Sequence, residues 1–428
     1  MLSPVLAASL ARREIHYSWV VAAVTFLTML VMAGAVGAPG VFIVPLQKEF
    51  GWNLSEISSA LAIRFVLFGL MGPFAAVFMN YFGMRKVMVT ALIIVMSGLI
   101  ASLFMTQFWQ LVMLWGVVVG LGTGLTAMVL GATVATRWFS ARRGLIIGLL
   151  AASSATGQLI FLPLLASLTE HYGWRTALGF ICCALAFAML AVIMLMRDRP
   201  ADLGLPLYGD AEIVDAPVVK GSLLSMLATP LLVLRDVSTS GTFWILFATF
   251  FICGASTSGL IQTHFITMCG DFGLVATSAA GILALMGFFD FFGTVGSGWL
   301  SDRYDNRWLL FWYYSLRGVS LMLLPYTDFT VFGLSIFAVL YGLDWIATVP
   351  PTIKLTAAKF GPERANVVFG WIFAGHQIGS AFAAYGAGLM RTVLASYIPS
   401  FFIAGLLCIV AGLVALLIIT PLRATKTA

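Results

Sequence analysis

Twelve apolar segments, each long enough to cross a bilayer, dominate the sequence. A transmembrane helix needs about 20 predominantly apolar residues, and helices satisfy their own backbone hydrogen bonds in lipid. The sequence therefore predicts an all-α integral membrane protein with 12 transmembrane helices. The predicted spans are residues 17–46, 55–79, 86–105, 108–133, 144–168, 175–196, 242–269, 277–300, 307–326, 329–350, 365–389 and 395–420.

The composition excludes several classes of protein. The chain of 428 residues is 61% hydrophobic and only 9% charged, whereas about 25% of residues are charged in a typical soluble protein. A soluble globular protein, a nucleic-acid-binding protein and a disordered chain are therefore excluded. The five cysteines lie in apolar runs without the spacing of a metal site, so we expect small core residues, no metal and no cofactor.

Positive charge is divided unequally between the two sets of loops. Of the 23 Lys and Arg residues, 18 lie in one set of loops and in the two tails, and only Lys48, Arg175 and Arg391 lie in the other set. Because Lys and Arg are enriched in cytoplasmic loops, we predict that both termini are cytoplasmic, as in a bacterial inner membrane. We call the side that carries the loops near residues 83, 141, 304 and 361 the basic side.

The chain divides into two halves of six spans each. Residues 1–196 form the first half, residues 197–240 a polar cytoplasmic linker with a short surface helix, and residues 241–428 the second half. The turns at equivalent places in the two halves match each other, which indicates an internally duplicated transporter. We expect two pseudo-symmetric six-helix bundles in a monomer.

The matching turns resemble those of the major facilitator superfamily, whose loop pattern is Gly-x-x-x-Asp-Arg-x-Gly-x-Arg. The turn after span 8 contains Gly298, Asp302, Arg303 and Arg307, and the turn after span 2 contains Gly83 and Arg85. The resemblance implies the fold of that family and a gate on the basic side. The gate residues it implies are Asp302, Arg303, Arg307 and Arg85.

A narrower resemblance concerns the start of span 5. The segment from Arg137 to Leu149 is similar to a pattern of the monocarboxylate porter and oxalate/formate exchanger branch. Asp290 falls where animal monocarboxylate porters have an intramembrane Asp, but Thr294 stands where those porters have an Arg. His376 falls roughly where the oxalate/formate exchangers carry a basic residue.

Three ionisable residues lie near the middle of the second half's spans. Asp290, Arg317 and Asp344 are each 10–12 residues from a charged loop residue, so at about 1.5 Å per residue they lie roughly 15–18 Å deep. An unpaired charge at this depth is costly and marks a functional site, so Arg317 is expected to pair with one of the two aspartates. The pair is either a structural latch or part of a site where one carboxylate, preferably Asp290, carries a proton.

Five other polar residues within spans are candidate substrate contacts. Arg64 either reaches the outer membrane interface or attracts an anion. His376 and His264 are either neutral packing residues or, for His376, a substrate contact or proton acceptor. Gln158 ends a segment of small residues that allows close helix packing and could offer its amide to a substrate. Gln377 follows His376 directly.

These features predict a secondary transporter for a small organic anion, a mono- or dicarboxylate. Transport would proceed by alternating access and be coupled to proton symport or anion exchange. The alternative is an exporter of drugs or amphiphilic metabolites on the same fold. The sequence lacks HExxH, CxxC, nucleophile-elbow and P-loop motifs, so an enzyme is not expected.

Overall fold

The computed structural model describes residues 2–126, 128–213 and 223–418, and almost all of these residues are helical. Within those ranges the structure contains no β-strand, and only an isolated bridge joins Phe139 to Tyr208. A short helix, Leu2–Ala11, precedes the first long helix. The predicted all-α membrane fold is confirmed.

The first half forms a bundle of six long helices. These are α1 (Ser18–Phe50), α2 (Leu54–Phe82), α3 (Met84–Ser102), α4 (Phe108–Leu111, Val112–Val119, Gly120–Gly124 and Met128–Trp138), α5 (Arg143–Tyr172) and α6 (Trp174–Leu195). In α4, the piece Val112–Val119 is a π-helix. Such wide turns interrupt α-helices and often lie at functional sites.

The second half also contains six long helices. They are α7 (Gly241–Gly254, Ala255–Gln262 and Thr263–Asp271), α8 (Ala276–Arg303), α9 (Asn306–Leu323), α10 (Val331–Asp344 and Val349–Phe360), α11 (Pro362–Leu394) and α12 (Ile398–Ala415). The piece Ala255–Gln262 of α7 is also a π-helix. The two helices with a π-helical piece, α4 and α7, thus lie in opposite bundles.

Eleven helices in the described part of the chain are long and apolar enough to cross a membrane. The helix α9 is not among them, because its 18 residues include Asn306, Arg307 and Arg317. It nevertheless packs beside the spanning helix α12, where Gly318 lies close to the backbone of Gly405. Burial of Arg317 against protein compensates in part for the low hydropathy of α9.

The two bundles pack against each other through pairs of helices. The helix α2 packs on α11, α5 on α8 and α1 on α7. A side-chain carbon placed on Gly69 of α2 would lie 2.6 Å from Gln377 Cβ of α11. At the other end of the same pair, Gly388 lies against Ser58. Because the contact includes both ends, α2 and α11 form a long seam between the bundles.

The linker between the bundles contains a 15-residue helix, Leu223–Val237, where the sequence predicted a short surface helix. Trp371 Nε1 of α11 donates a hydrogen bond of 2.8 Å to the carbonyl of Pro230 in this helix. Asp236 pairs with Arg364 at the start of α11, with 2.5 Å between Oδ2 and Nη1. The helix is therefore attached to α11. Residues 214–222 of the predicted linker lie outside the described residues.

Candidate functional site

Arg317 of α9 pairs with Asp344 of α10. Its Nε lies 2.9 Å from Asp344 Oδ2, and the side chains are 0% and 8% exposed. The sequence left open whether Arg317 pairs with Asp290 or Asp344, and the structure selects Asp344. Two opposite charges that are buried together largely compensate each other, which makes the cost of each at this depth tolerable.

Arg317 also binds the backbone of α10 where that helix is interrupted. Its Nη2 donates to the carbonyls of Asp344 and, at 3.0 Å, of Trp345. The helix stops at Asp344 and resumes at Val349.

Pro350 and Pro351 follow the interruption, and proline has no N–H to donate to the carbonyl four residues before it. The sequence predicted one span over 329–350; α10 is instead divided just before the proline pair. The prolines deprive the carbonyls of Ile346 and Ala347 of their helical donors, and Ser297 Oγ of α8 donates to the Ala347 carbonyl.

Asp290 of α8 binds a backbone N–H of the same interrupted segment, whereas Arg317 binds its carbonyls. Its Oδ1 accepts a hydrogen bond of 2.9 Å from the backbone N–H of Ile346 and another of 2.9 Å from Thr294 Oγ1. The side chain is 3% exposed. No described Lys, Arg or His forms a salt bridge with Asp290, so neutral donors alone hold its carboxylate.

Cys253 of α7 connects this cluster to two further helices. Its Sγ lies 3.0 Å from Arg317 Nη1 and 3.3 Å from Thr348 Oγ1 of α10. His376 of α11 lies beside the same thiol. A carbon placed on Gly254 would overlap the carbonyl oxygen of His376, so the absence of a side chain there lets α7 and α11 approach closely. Five helices, α7 to α11, therefore meet at one polar cluster.

His376 and Gln377 each have a buried atom without a hydrogen-bond partner among the described residues. These atoms are His376 Nδ1 and Gln377 Oε1. The His376 ring lies between Phe250 and Phe373, with centroids at 5.0 and 5.7 Å. Gln377 faces α2 at Gly69, on the seam between the bundles. Buried polar groups are normally paired, so these two can accept a ligand.

His264, another predicted substrate contact, is placed differently. It is fully buried, its Nε2 lies 2.8 Å from the carbonyl of Ala384, and its Nδ1 lies 3.2 Å from Tyr397 Oη. Both ring nitrogens already have partners, so neither is left for a ligand in this conformation. The geometry matches the alternative that the sequence left open, a packing histidine that connects α7 to α11 and to Tyr397.

Arg64 lies inside the first bundle. It is 4% exposed, and its Nη1 has no hydrogen-bond partner among the described residues. It lines a small cavity with residues of α1, α3, α4 and α6, including Trp115. Arg64 therefore does not reach the outer interface, and it is not brought together with His376 or Gln377.

The family model described as "Major Facilitator Superfamily" matches residues 24–384 of the chain. The chain belongs to the Major Facilitator Superfamily. It is a transporter embedded in a membrane by many spans, and it moves a small-molecule substrate.

Full-length relatives of this Major Facilitator Superfamily transporter include proteins from bacteria and animals. It is 22% identical over 395 residues to the MFS-type transporter YcxA of Bacillus subtilis (strain 168), covering 90% of this chain and 91% of that protein. It is 27% identical over 393 residues to monocarboxylate transporter 13 of Bos taurus, covering 91% and 86%. Monocarboxylate transporter 4 of Rattus norvegicus is 24% identical over 396 residues, with 89% and 78% covered.

A solved structure shows the same fold. The crystal structure of a D-xylose-proton symporter matches with a TM-score of 0.71 and covers 93% of this chain and 97% of that chain. The two sequences are 14% identical. This likeness supports two six-helix bundles in the transporter described here.

The turns predicted as a gate make contacts within their own bundles. The Arg85 backbone N–H donates to Asp198 Oδ1 at 2.8 Å, and its guanidinium binds the carbonyl of Ile193. Arg307 Nη2 lies 2.6 Å from Asp305 Oδ2, and this hydrogen-bonded guanidinium lowers the pKa of the Asp305 carboxyl. In this conformation neither arginine contacts the other bundle within the described residues, so their gating role stays a prediction.

Arg303, the third predicted gate cation, is exposed. Its guanidinium lies 4.0 Å from the ring centroid of Trp299, one turn earlier in α8, and donates to the Trp299 carbonyl at 3.2 Å. The side chains of two predicted site residues, Asp302 and Gln158, lie outside the described residues.

Sequence reasoning missed three contributors to these sites. Cys253 was assigned to the core, although it contacts Arg317. The pair Pro350–Pro351 inside an apolar run was the available signal for an interrupted α10. Trp115 was not singled out, because nothing in the sequence shows that its N–H lies beside the Arg64 cavity.

Proposed function

We propose that this transporter moves a small organic anion, a mono- or dicarboxylate, by alternating access. Transport is coupled to proton symport or to the exchange of another anion, and the site described next favours proton symport. The proposal is supported by the polar cluster of the second bundle and by the similarity to proteins named monocarboxylate transporters.

The observation that carries the proposal is the environment of Asp290. Arg317 is already paired with Asp344, and Thr294 and Ile346 supply only neutral donors to Asp290. A buried carboxylate without a cation favours its protonated form. An organic anion would be repelled while Asp290 is ionised and accepted once it is protonated. Proton binding would therefore precede anion binding.

The residues that would contact the anion are His376 and Gln377. His376 Nδ1 has no partner among the described residues, and the side-chain amide N–H of Gln377 can donate to a carboxylate. Gln377 faces α2 across the seam, where alternating access exposes a site first to one side and then to the other. A protonated imidazole can donate to a carboxylate. Phe250 and Phe373 beside the His376 ring suit the short apolar part of a small carboxylate.

The proposed orientation follows from the positive charges. The basic side faces the cytoplasm with both termini and the linker, and the bundles comprise residues 1–196 and 241–428. The turns after α2 and α8 then lie at the cytoplasmic mouth. When that mouth closes, Arg85, Arg303 and Arg307 would exchange their contacts within each bundle for contacts across the seam.

Uptake of labelled carboxylates into proteoliposomes tests the function. Uptake of at least one mono- or dicarboxylate is expected to increase when the pH is lower on the side from which the substrate enters. Asp290→Asn should lose this pH response, and Asp305→Asn, which changes an exposed aspartate of the α8–α9 turn, should keep it. No carboxylate uptake, combined with export of amphiphilic drugs, would overturn the proposal in favour of a drug exporter.

A further inference from the structure

The first bundle contains a second polar site, which has no role in the transport mechanism proposed above. Arg64 of α2 is 4% exposed and Trp115 of α4 is 2% exposed, and both line the same cavity. Arg64 Nη1 and Trp115 Nε1 are buried donors without an acceptor among the described residues. Two unpartnered hydrogen-bond donors thus belong to residues of different helices that line one cavity.

The permanent charge of Arg64 determines what this cavity can hold. A guanidinium stays ionised in proteins, and a buried charge without a counter-ion is strongly unfavourable. Within the described residues, Arg64 forms no salt bridge; its one ring contact is with the adjacent Phe65, at 5.0 Å. A water molecule would accept a hydrogen bond but would leave the charge uncompensated. The site therefore calls for an anion.

The size of the cavity limits which anion fits. Its volume is about 10 Å³, which is the room that a single water-sized particle needs. Apart from Arg64 and Trp115, the lining side chains are apolar, and all of them belong to the first bundle. A carboxylate with a carbon skeleton is too large for this space. None of the lining residues belongs to the second bundle, where the proposed substrate site lies. A monatomic anion is the smallest anion available, and chloride, which is slightly larger than water, requires the lining side chains to move outward by a small amount.

We propose that Arg64 and Trp115 bind one halide ion, chloride in the cell, inside the first bundle. The ion accepts hydrogen bonds from the Arg64 guanidinium and the Trp115 indole, and it neutralises the buried charge. It stays with the bundle during transport and stabilises the packing of α2 against α1 and α4. This site is independent of the proposed substrate site in the second bundle.

Thermal unfolding of the purified full-length protein tests the site. The melting temperature is measured in increasing sodium chloride and, separately, in sodium methanesulfonate at the same ionic strength. A ligand that binds only the folded state raises the melting temperature, so chloride should raise it to a plateau and methanesulfonate should not. Identical curves in the two salts would overturn the proposal.

Two substitutions localise the effect on α4. Trp115→Phe keeps the ring but removes the N–H donor, and it should shift the chloride dependence to roughly tenfold higher concentration, as expected for loss of one charged hydrogen bond. Trp109→Phe changes an exposed tryptophan at the start of α4 and should leave the dependence unchanged. An unchanged chloride response in Trp115→Phe would contradict the assignment.

Arg64→Gln should abolish the chloride response. If this variant does not fold, anomalous diffraction from crystals of the unmodified protein in sodium bromide decides the question. A peak between Arg64 and Trp115 is expected, and occupied bromide sites elsewhere with none at this position would exclude the proposed site. Neither measurement depends on carboxylate transport, so the halide site and the proposed function can fail separately.

Discussion

Asp290 and Arg317 bind opposite polar groups of the same interruption in α10. Asp290 accepts the N–H of Ile346, and Arg317 donates to the carbonyls of Asp344 and Trp345. Two charges of opposite sign on successive helices thus stabilise one backbone segment without pairing with each other. A change in the protonation of Asp290 would act directly on the joint between the two pieces of α10, which connects proton binding to helix movement.

The Arg317–Asp344 pair should be important for stability. Asp344→Asn leaves the Arg317 charge buried without a carboxylate, and removal of one partner of a buried pair costs about 3–5 kcal/mol. Urea unfolding of the purified variant should show a loss of this size. Glu49→Gln is the control, because it breaks the exposed Arg175–Glu49 pair, and such pairs contribute at most about 1 kcal/mol. Equal losses of unfolding free energy in Asp344→Asn and Glu49→Gln would show that burial does not make the Arg317–Asp344 pair more important for stability.

The seam between α2 and α11 predicts different effects for two glycines one turn apart. A carbon added at Gly69 would lie 2.6 Å from Gln377 Cβ, whereas one added at Gly72 would lie at an ordinary 3.8 Å from Phe373. Gly69→Ala should therefore separate the helices and lower the melting temperature of the purified protein. Gly72→Ala should melt like the parent protein. Equal melting temperatures for the two variants would show that the seam is looser than described.

Gly83 in the α2–α3 turn should not tolerate a side chain. Its backbone has φ 89° and ψ 149°, a region that is essentially restricted to glycine, and an added carbon would lie 2.5 Å from Asp198 Oδ2. Gly83→Ala should lower the free energy of unfolding by about 1–3 kcal/mol. Gly179→Ala in α6, where an added carbon meets nothing within 4 Å, should be neutral or slightly stabilising. A larger loss of stability in Gly179→Ala than in Gly83→Ala would contradict this interpretation of the turn.

The two buried histidines should respond differently to substitution. His264→Phe removes the hydrogen bonds of His264 to the Ala384 carbonyl and the Tyr397 hydroxyl, so stability should fall by about 1–3 kcal/mol, while carboxylate uptake per folded molecule is retained. His376→Phe removes a ring whose Nδ1 has no described partner, so uptake should fall at least tenfold with a smaller loss of stability. Melting temperature and initial uptake rate, measured on the same preparations, separate the two effects.

Much of the fold could be predicted from the sequence, because spanning length and charge bias are local properties. Eleven of the long helices follow from hydropathy, and the pairing of Arg317 with a nearby aspartate follows from their common depth. The choice of Asp344 over Asp290 could not be predicted, since both lie at similar depth and only the packing of α8, α9 and α10 distinguishes them.

The position of Arg64 shows that depth in the membrane does not predict the direction of a side chain. Distance along α2 placed it in the outer half of the membrane, but it could not show which way the side chain points. The structure directs it into the first bundle beside Trp115, away from the seam. Similarly, Pro350 and Pro351 predict an interruption in α10, but the partners that compensate for it come from helices far apart in the sequence.

Proton movement during carboxylate transport tests the central claim most directly. Proteoliposomes containing a trapped pH indicator receive an external carboxylate that the protein transports, and the internal pH is followed over time. The unmodified protein should acidify the interior, whereas Asp290→Asn should exchange labelled carboxylate without acidification. Acidification by Asp290→Asn at the parent rate, or carboxylate uptake by the parent protein without any acidification, would contradict proton coupling at Asp290.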